Sequence, residues 1–315
     1  MITEAPTSQS QQAYQGLRPY LFSVAYRMTG SASDAEDLIQ DAWIRYLDAG
    51  SPAVDSLRAW LTTVISRLAL DYLKSARVQR EQYVGTWLPE PVLTSEALAG
   101  PAETVEQREE VSVALLLLLE KLTPEQRVVY VLREGFGLGY DEIAGHLGKS
   151  AAACRQILRR AQLRLSEQRR PALAPPAEHR ALTEQFLAAF ASGNAARVAA
   201  LLAEDVVWEG DGGPDRLASR RPVIGRDKVS RGIAGFATKV PPEMALTIQF
   251  VDLNGAPAVV VRDHGVMDRV YALDIADGKI TAVRSVLNLA KLQHLDRALA
   301  GNGPASPLHL THLGS

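Results

Sequence analysis

The sequence predicts a multidomain protein: two all-α modules, the second with a helix-turn-helix, followed by an α+β domain with a curved sheet. Three observations predict this. Helical periodicity runs to about residue 170. It fails between 81 and 107, where Gly85, Pro89, Pro91, Gly100 and Pro101 interrupt it, and beyond about residue 245 it gives way to alternating, β-branched segments. The 315 residues, 47% hydrophobic and 22% charged, have the balance of folded domains and exclude wholesale disorder.

Leu17, Leu21, Val24, Ala25 and Met28 recur at helical spacing until Gly30 ends the pattern. Ser33 with Glu36 three places on is a capping box, opening a second helix that runs to about Leu47. A third, from about Leu57 to Ala76, has no internal Gly or Pro and joins a broad apolar face (Trp60, Leu61, Val64, Leu68, Leu73) to basic residues. These three make one bundle, 13–80. Residues 81–107 form a linker, within which Trp87, Leu88, Pro89, Glu90 and Pro91 make a proline-stiffened apolar patch; a docking element and a chance turn both fit that composition.

Helical pattern resumes over Val111 to Leu122, restarts at Thr123-Pro124-Glu125, and continues over Asp141 to Leu147 and Ser150 to Gln168, a second module at 108–170. Helices at about Glu178 to Ala191 and Ala195 to Leu202 then precede strands at Ala245 to Leu253, Ala258 to Asp263, Val266 to Ile275 and Lys279 to Leu287. Asn254-Gly255, His264-Gly265 and Asp277-Gly278 mark tight turns between the strands. This third domain spans 178–298, and the Gly/Pro/His-rich tail, 299–315, is expected to be loose.

The formal net charge of −2 argues against a polyanion-binding domain acting alone. Cations are nevertheless concentrated locally. Gly145 to Arg170 carries seven (Lys149, Arg155, Arg159, Arg160, Arg164, Arg169, Arg170) against Glu167, and Arg58 to Arg80 carries five (Arg58, Arg67, Lys74, Arg77, Arg80) against Asp71. On charge alone, solvated helix faces explain both. The longest apolar run, Leu115 to Leu119, is far below a bilayer span, and MITEAPTSQSQQ lacks the basic start and apolar stretch of a secretion signal. Cys154 is the single cysteine and no Cys/His cluster has zinc spacing, so a cytoplasmic location, no metal, no cofactor and no membrane partner are expected. The apolar phase of Cys154 makes it a packing residue rather than a redox centre.

The most informative stretch is YDEIAGHLGKSAAACRQILRRA, Tyr140 to Ala161. Two helices crossing steeply need a small residue at the contact and a left-handed residue in the turn, the roles of Ala144 and Gly148. Ile143, Leu147, Cys154 and Ile157 then face inward and Ser150 caps the second helix. The outer face carries Ser150, Ala152, Arg155, Gln156 and Arg159: small residues leading, donors following, as entry into a major groove requires.

LRPYLFSVAYRMTGSASDAEDLIQDAWIRY, RAWLTTVISRLALDYLKS, the linker, then LTPEQRVVYVLREGFGLGYDEIAGHLGKSAAACRQILRRA resemble, in order and spacing, the two domains of an extracytoplasmic-function sigma factor of the sigma-70 family, over about residues 13 to 170. The resemblance implies that the first module binds the polymerase clamp and opens −10 DNA, and that the second reads −35 DNA through Ser150, Ala152, Arg155, Gln156 and Arg159 and meets the polymerase flap. On the second helix, Asp37, Gln40, Asp41 and Arg45 present a polar surface, which by resemblance meets the clamp. On the third, Arg67, Asp71, Lys74 and Arg77 share a side able to follow a DNA strand, with Arg67 where many members carry Asn, and the loop from about Gly50 to Asp55 would hold a flipped base.

The C-terminal domain resembles the SnoaL-like (nuclear-transport-factor-two-like) fold that a subgroup of these factors carries, which implies a cone-shaped α+β domain. Trp87-Leu88-Pro89-Glu90-Pro91 matches that subgroup's linker motif. Asp211-Gly212-Gly213, followed by Arg220, Arg221 and Pro222, resembles its glycine-rich loop, with Pro214 where another Gly is usual. Asn288-Leu289-Ala290-Lys291-Leu292 resembles its late Asn-Pro-Asp-Lys-Leu motif with Pro-Asp replaced. Some SnoaL relatives are enzymes using Asp/His pairs; the candidates here, Asp211, Asp263, His264 and Asp268, lack a convincing spacing, so no catalytic residue is assigned. The reading is a sigma factor whose partners are polymerase core, promoter DNA and its own C-terminal domain, acting through Trp87 to Pro91, Asp211, Gly212, Gly213, Asn288 and Lys291. An anti-sigma partner is left unassigned. The alternatives are a one-component ligand-sensing DNA-binding regulator and a SnoaL-type enzyme fused to a helical domain.

Overall fold

The computed structural model describes residues 8–52, 54–81, 83, 85–99, 105–167, 174–241, 243–300 and 306–307. It forms two compact units that do not follow chain order. One comprises 1–82, 95–102 and 113–169; the other comprises 83–94, 103–112 and 170–315.

The first unit is helical. Its elements are α1 (Ser8–Thr29), α2 (Ala32–Asp48), α3 (Leu57–Glu81), most of α4 (Thr94–Leu98), then, beyond α5 (Val105–Glu109) of the other unit, α6 (Val113–Leu119), α7 (Pro124–Tyr130), a π-helical turn (Val131–Gly135), α8 (Tyr140–Leu147) and α9 (Ala151–Ser166). Gly30, at φ +71°, turns the chain directly into α2, so the cap is Ser31 rather than Ser33; its Oγ accepts the Asp34 N–H at 3.1 Å. Thr123 and Gln126 make a complete capping box at α7, with Pro124 in the first turn. Leu21, Val24, Met28, Ile39, Leu61, Ile65, Leu116, Leu132 and Ile143 are fully buried. Arg127 is buried with them, its Nη1 paired with Glu120, and burial lowers its guanidinium pKa to about 10.

The second unit packs α10 (Pro176–Ala191), α11 (Ala195–Leu201), α12 (Arg226–Ala237) and α13 (Leu289–Leu299) with one sheet of β1 (Leu202–Asp211), β2 (Val223–Ile224), β3 (Leu246–Leu253), β4 (Ala256–Asp263), β5 (Val266–Ala276), β6 (Lys279–Val286) and β7 (Ser306–Pro307). Among the described residues the order is β2-β1-β6-β5-β4-β3-β7, with β1 and β6 parallel and the other neighbours antiparallel. Asn254-Gly255, His264-Gly265 and Asp277-Gly278 are the hairpin turns, both residues of each at positive φ. Register shifts at Leu202/Val207, Val261/Arg262 and Asp274/Ile275 are the irregularities that bend a sheet. Phe186, Phe190, Val198, Val206, Val229, Ile233, Leu273 and Val283 fill the space between helices and sheet. Of the tail expected to be loose, Leu299 ends α13 and Ser306–Pro307 pairs with β3; 301–305 and 308–315 lie outside the described residues.

Candidate functional site

Gly148, at φ +62°, ends α8 in the left-handed conformation, and Ser150 Oγ accepts the Ala153 N–H at 3.1 Å to start α9. Ser150, Ala152, Arg155, Gln156 and Arg159 all lie exposed, with the Arg155 guanidinium 5.5 Å from the centre of the Tyr140 ring. Behind them Cys154 is fully buried and burial pushes its thiol pKa up. Leu147 and Ile157, expected inward, are only half-buried. The deep positions are Cys154, Leu158, Ala161 and Leu165, which repeat every three to four residues from Cys154 and so stay on one face.

On α2, Asp37, Gln40, Asp41 and Arg45 are exposed along one stripe, and sequence reasoning missed its apolar member, Ile44, which is 44% exposed. On α3, Arg67, Asp71 and Lys74 are exposed, and Lys74 pairs with Asp71 at 3.0 Å; the side chain of Arg77 lies outside the described residues. Trp60 meets Tyr46 edge to face. Arg67 also donates its Nε–H to the His146 carbonyl of α8 at 3.0 Å, while Thr63 Oγ1 lies 2.6 Å from His146 Nδ1. His146 is buried, which lowers its pKa, and the nearby Arg67 charge adds to the effect. In the loop after α2, Gly50 and Ser51 have positive φ, and Ala53 lies outside the described residues.

In the second unit, residues 83 and 85–94 are built into a polar core formed at the end of β1 and the start of α13. Asp211, at the end of β1, is fully buried. Its Oδ1 accepts from the Tyr83 hydroxyl (2.5 Å) and the Gly213 N–H (3.1 Å), and its Oδ2 from the Leu88 N–H (2.9 Å) and Lys291 Nζ (2.7 Å). Lys291, in the first turn of α13, also donates to the Leu88 carbonyl at 2.6 Å and lies 4.3 Å from the Trp87 ring centre. Asn288 caps α13 through Oδ1 and donates Nδ2–H to the Tyr83 hydroxyl at 2.9 Å. Burial, followed by the neighbouring Asp211 carboxylate, pushes the Tyr83 phenol well up, so it stays a donor. Leu88, Pro89, Glu90 and Pro91 are buried. Gly212 and Gly213 are required sterically: a Cβ on Gly212 would stand 2.1 Å from the Arg216 carbonyl oxygen, and one on Gly213 2.6 Å from Asn288 Nδ2.

Sequence reasoning missed Tyr83 and a second clasp. The Asn254 side chain accepts from the Val92 N–H (3.2 Å) and donates to the Val111 carbonyl (3.3 Å), its own N–H donates to the Val92 carbonyl (3.1 Å), and Gly255 N–H reaches Thr94 Oγ1 (3.0 Å). Arg108 pairs with Asp252 at 2.9 Å. The four acid-base candidates are engaged separately: Asp211 in the first clasp, Asp263 with His264 at an exposed turn (2.9 Å), and Asp268 between Arg216 and Arg269.

The chain matches the Sigma-70 region 2 model over residues 13–78, the Sigma-70, region 4 model over 112–165 and the SnoaL-like domain model over 183–283, which defines a two-module sigma protein carrying a fused SnoaL-like domain. It is similar to the ECF RNA polymerase sigma factor SigJ of Mycobacterium tuberculosis, at 39% identity over 87% of this chain and 90% of that protein. It is also similar to the probable ECF RNA polymerase sigma factor SigI of the same species, at 36% over 92% and 97%. The crystal structure of the Mycobacterium tuberculosis SigJ superimposes with a TM-score of 0.71, at 33% identity, over 90% of this chain and 98% of that one. The chain belongs to the extracytoplasmic-function RNA polymerase sigma factor family. No described helix is long and apolar enough to cross a membrane.

Proposed function

We propose that this sigma factor engages the polymerase clamp through the α2 stripe of Asp37, Gln40, Asp41, Ile44 and Arg45, and that α9 reads −35 DNA through Arg155, Gln156 and Arg159. Arg67, Asp71, Lys74 and Arg77 follow −10 DNA, region 4 meets the polymerase flap, and the factor acts in the cytoplasm as a regulator without catalysis of its own. Near-zero net charge makes DNA binding weak for the isolated chain; tethering to core supplies the effective concentration that makes it tight.

Within that reading the SnoaL-like domain is a linker clamp. The observation that carries it is Lys291, whose ammonium bonds both Asp211 of the domain and the Leu88 carbonyl of the linker. A chain fixed at 83–94 has far fewer end-to-end separations than a free tether, so the domain sets the promoter spacing the two DNA-binding modules can use. The test is in vitro transcription with purified core on promoters of graded −10/−35 spacing. Asp211→Asn and Lys291→Ala are expected to broaden the accepted spacing. Point variants are preferred to cutting near Pro175, since a cut would strip the buried residues Leu88 to Val92 of their partners. Spacing preference and activity identical to wild type would overturn the clamp.

A further inference from the structure

The SnoaL-like domain holds a recess of about 600 Å³, its mouth included, between α10, α12 and the sheet. Its wall is aromatic and aliphatic, with Phe186, Phe190, Trp208, Phe236 and Met244 prominent, and includes just two residues with strong polar groups at their tips, Arg269 and Tyr271, both from β5. Arg269 is a pure donor, and the Tyr271 hydroxyl, which interacts with the Arg269 guanidinium, keeps a proton to donate because burial pushes its phenol up; no carboxylate is among the described lining residues.

The guanidinium is held in place from behind. Arg269 Nε pairs with Asp268, whose other carboxylate oxygen takes Arg216, and the Arg269 guanidinium lies 5.2 Å from the centre of the Phe236 ring. Two guanidiniums against one carboxylate leave this cluster with one net positive charge. Asp268 is held below the ordinary carboxylate range: burial alone would raise it, but its bond to Arg216 and the charge of Arg269 outweigh that. It is therefore a fixed anion that positions Arg269. An apolar chamber with one supported cation and one phenolic donor, and no acceptor of comparable strength, complements a molecule of opposite pattern.

We propose that this recess is a binding site for a small apolar monocarboxylate, its hydrocarbon among the aromatic side chains and its carboxylate on Arg269 and Tyr271.

The test is titration of the full chain with octanoate and with 2-naphthoate, read by calorimetry, against the neutral isosteres octanamide and 2-naphthamide. At least one carboxylate is expected to bind saturably below about 1 mM and to raise Tm, with its amide about tenfold weaker. Arg269→Gln is expected to weaken carboxylate binding about tenfold and leave amide binding unchanged. If that variant does not fold, Met244→Trp, which narrows the chamber without touching the ion pairs, must abolish binding of both forms. No carboxylate binding at about 1 mM, amides binding as tightly as acids, or a folded Arg269→Gln chain binding like wild type would each overturn the proposal. Because the readout is binding alone, its failure leaves the sigma-factor and clamp readings standing.

Discussion

Lys291 Nζ and Asp211 Oδ2 form an ion pair of 2.7 Å in which Asp211 is fully buried and Lys291 nearly so. Removing the cation leaves a carboxylate in a low-dielectric site with only neutral donors. Lys291→Met is therefore expected to destabilise the second unit by about 3 kcal/mol, read as a shift in its urea midpoint, and to speed proteolysis near Leu88. A shift within about 0.5 kcal/mol would show that the hydroxyl and backbone donors suffice.

Gly255 sits at φ +82°, and a Cβ there would stand 2.1 Å from the Arg108 carbonyl oxygen. Gly255→Ala combines backbone strain with a clash against rigid backbone, an expected loss of about 2 kcal/mol or more. The equivalent change at Gly265 or Gly278, where a Cβ meets nothing, carries the strain alone and is expected to cost about 1 kcal/mol. Equal losses at all three would remove the second clasp as a source of stability.

His146 predicts a pH dependence. It is buried against Thr63, with Glu142 Oε1 3.8 Å from Nε2 and Arg67 close by, and burial holds its pKa below 6.5. A histidine depressed in the folded state takes up its proton more readily on unfolding. The stability it contributes is thus full above about pH 6.5 and falls as pH drops below it. Wild type is expected to lose more stability than His146→Gln between pH 7.5 and 5.5. His179, buried and likewise depressed in the other unit, acts equally in both proteins, so parallel curves would mean His146 contributes nothing.

Arg155→Ala removes an exposed guanidinium from the outer face of α9. About tenfold lower −35-dependent initiation is expected, with core binding unchanged. Equal loss of both would contradict a base-reading role.

Ile44 is the apolar member, near the C-terminal end, of an otherwise polar stripe on α2. Ile44→Asp is expected to lower core affinity about tenfold in an anisotropy titration while leaving thermal stability unchanged, since the side chain is already in contact with water. Unchanged affinity would remove this stripe from the polymerase interface.

What could be read from the sequence was the chemistry that acts locally. Asn254-Gly255, His264-Gly265 and Asp277-Gly278 announce hairpins because left-handed backbone is a property of those residues themselves, and Gly148 and Ser150 delimit α9 for the same reason. β1 was hidden by Glu204 and Asp205, which break alternation where its register shifts, and α12 by Gly232 and Gly235. The burial of His146 against Thr63, 83 residues away, is set by tertiary packing that no local pattern carries. Tyr83 and the second task of Asn254 depend on partners 128 and 162 residues distant, beyond any periodicity. Arg67 is proposed as a DNA-facing cation, but its Nε–H is spent on the His146 carbonyl, so that donor reaches a phosphate only after the bond is given up.

Leu88 and Lys291 are 203 residues apart. At ribosomal speeds of about 5–20 residues per second, the polar backbone and apolar side chains around Leu88 wait about 10–40 s for the groups that cover them. The segment around Leu88 is therefore made early but is completed only once Lys291 has been added, so any nascent chain shorter than 291 residues carries the Leu88 carbonyl and the Asp211 carboxylate without their shared cation.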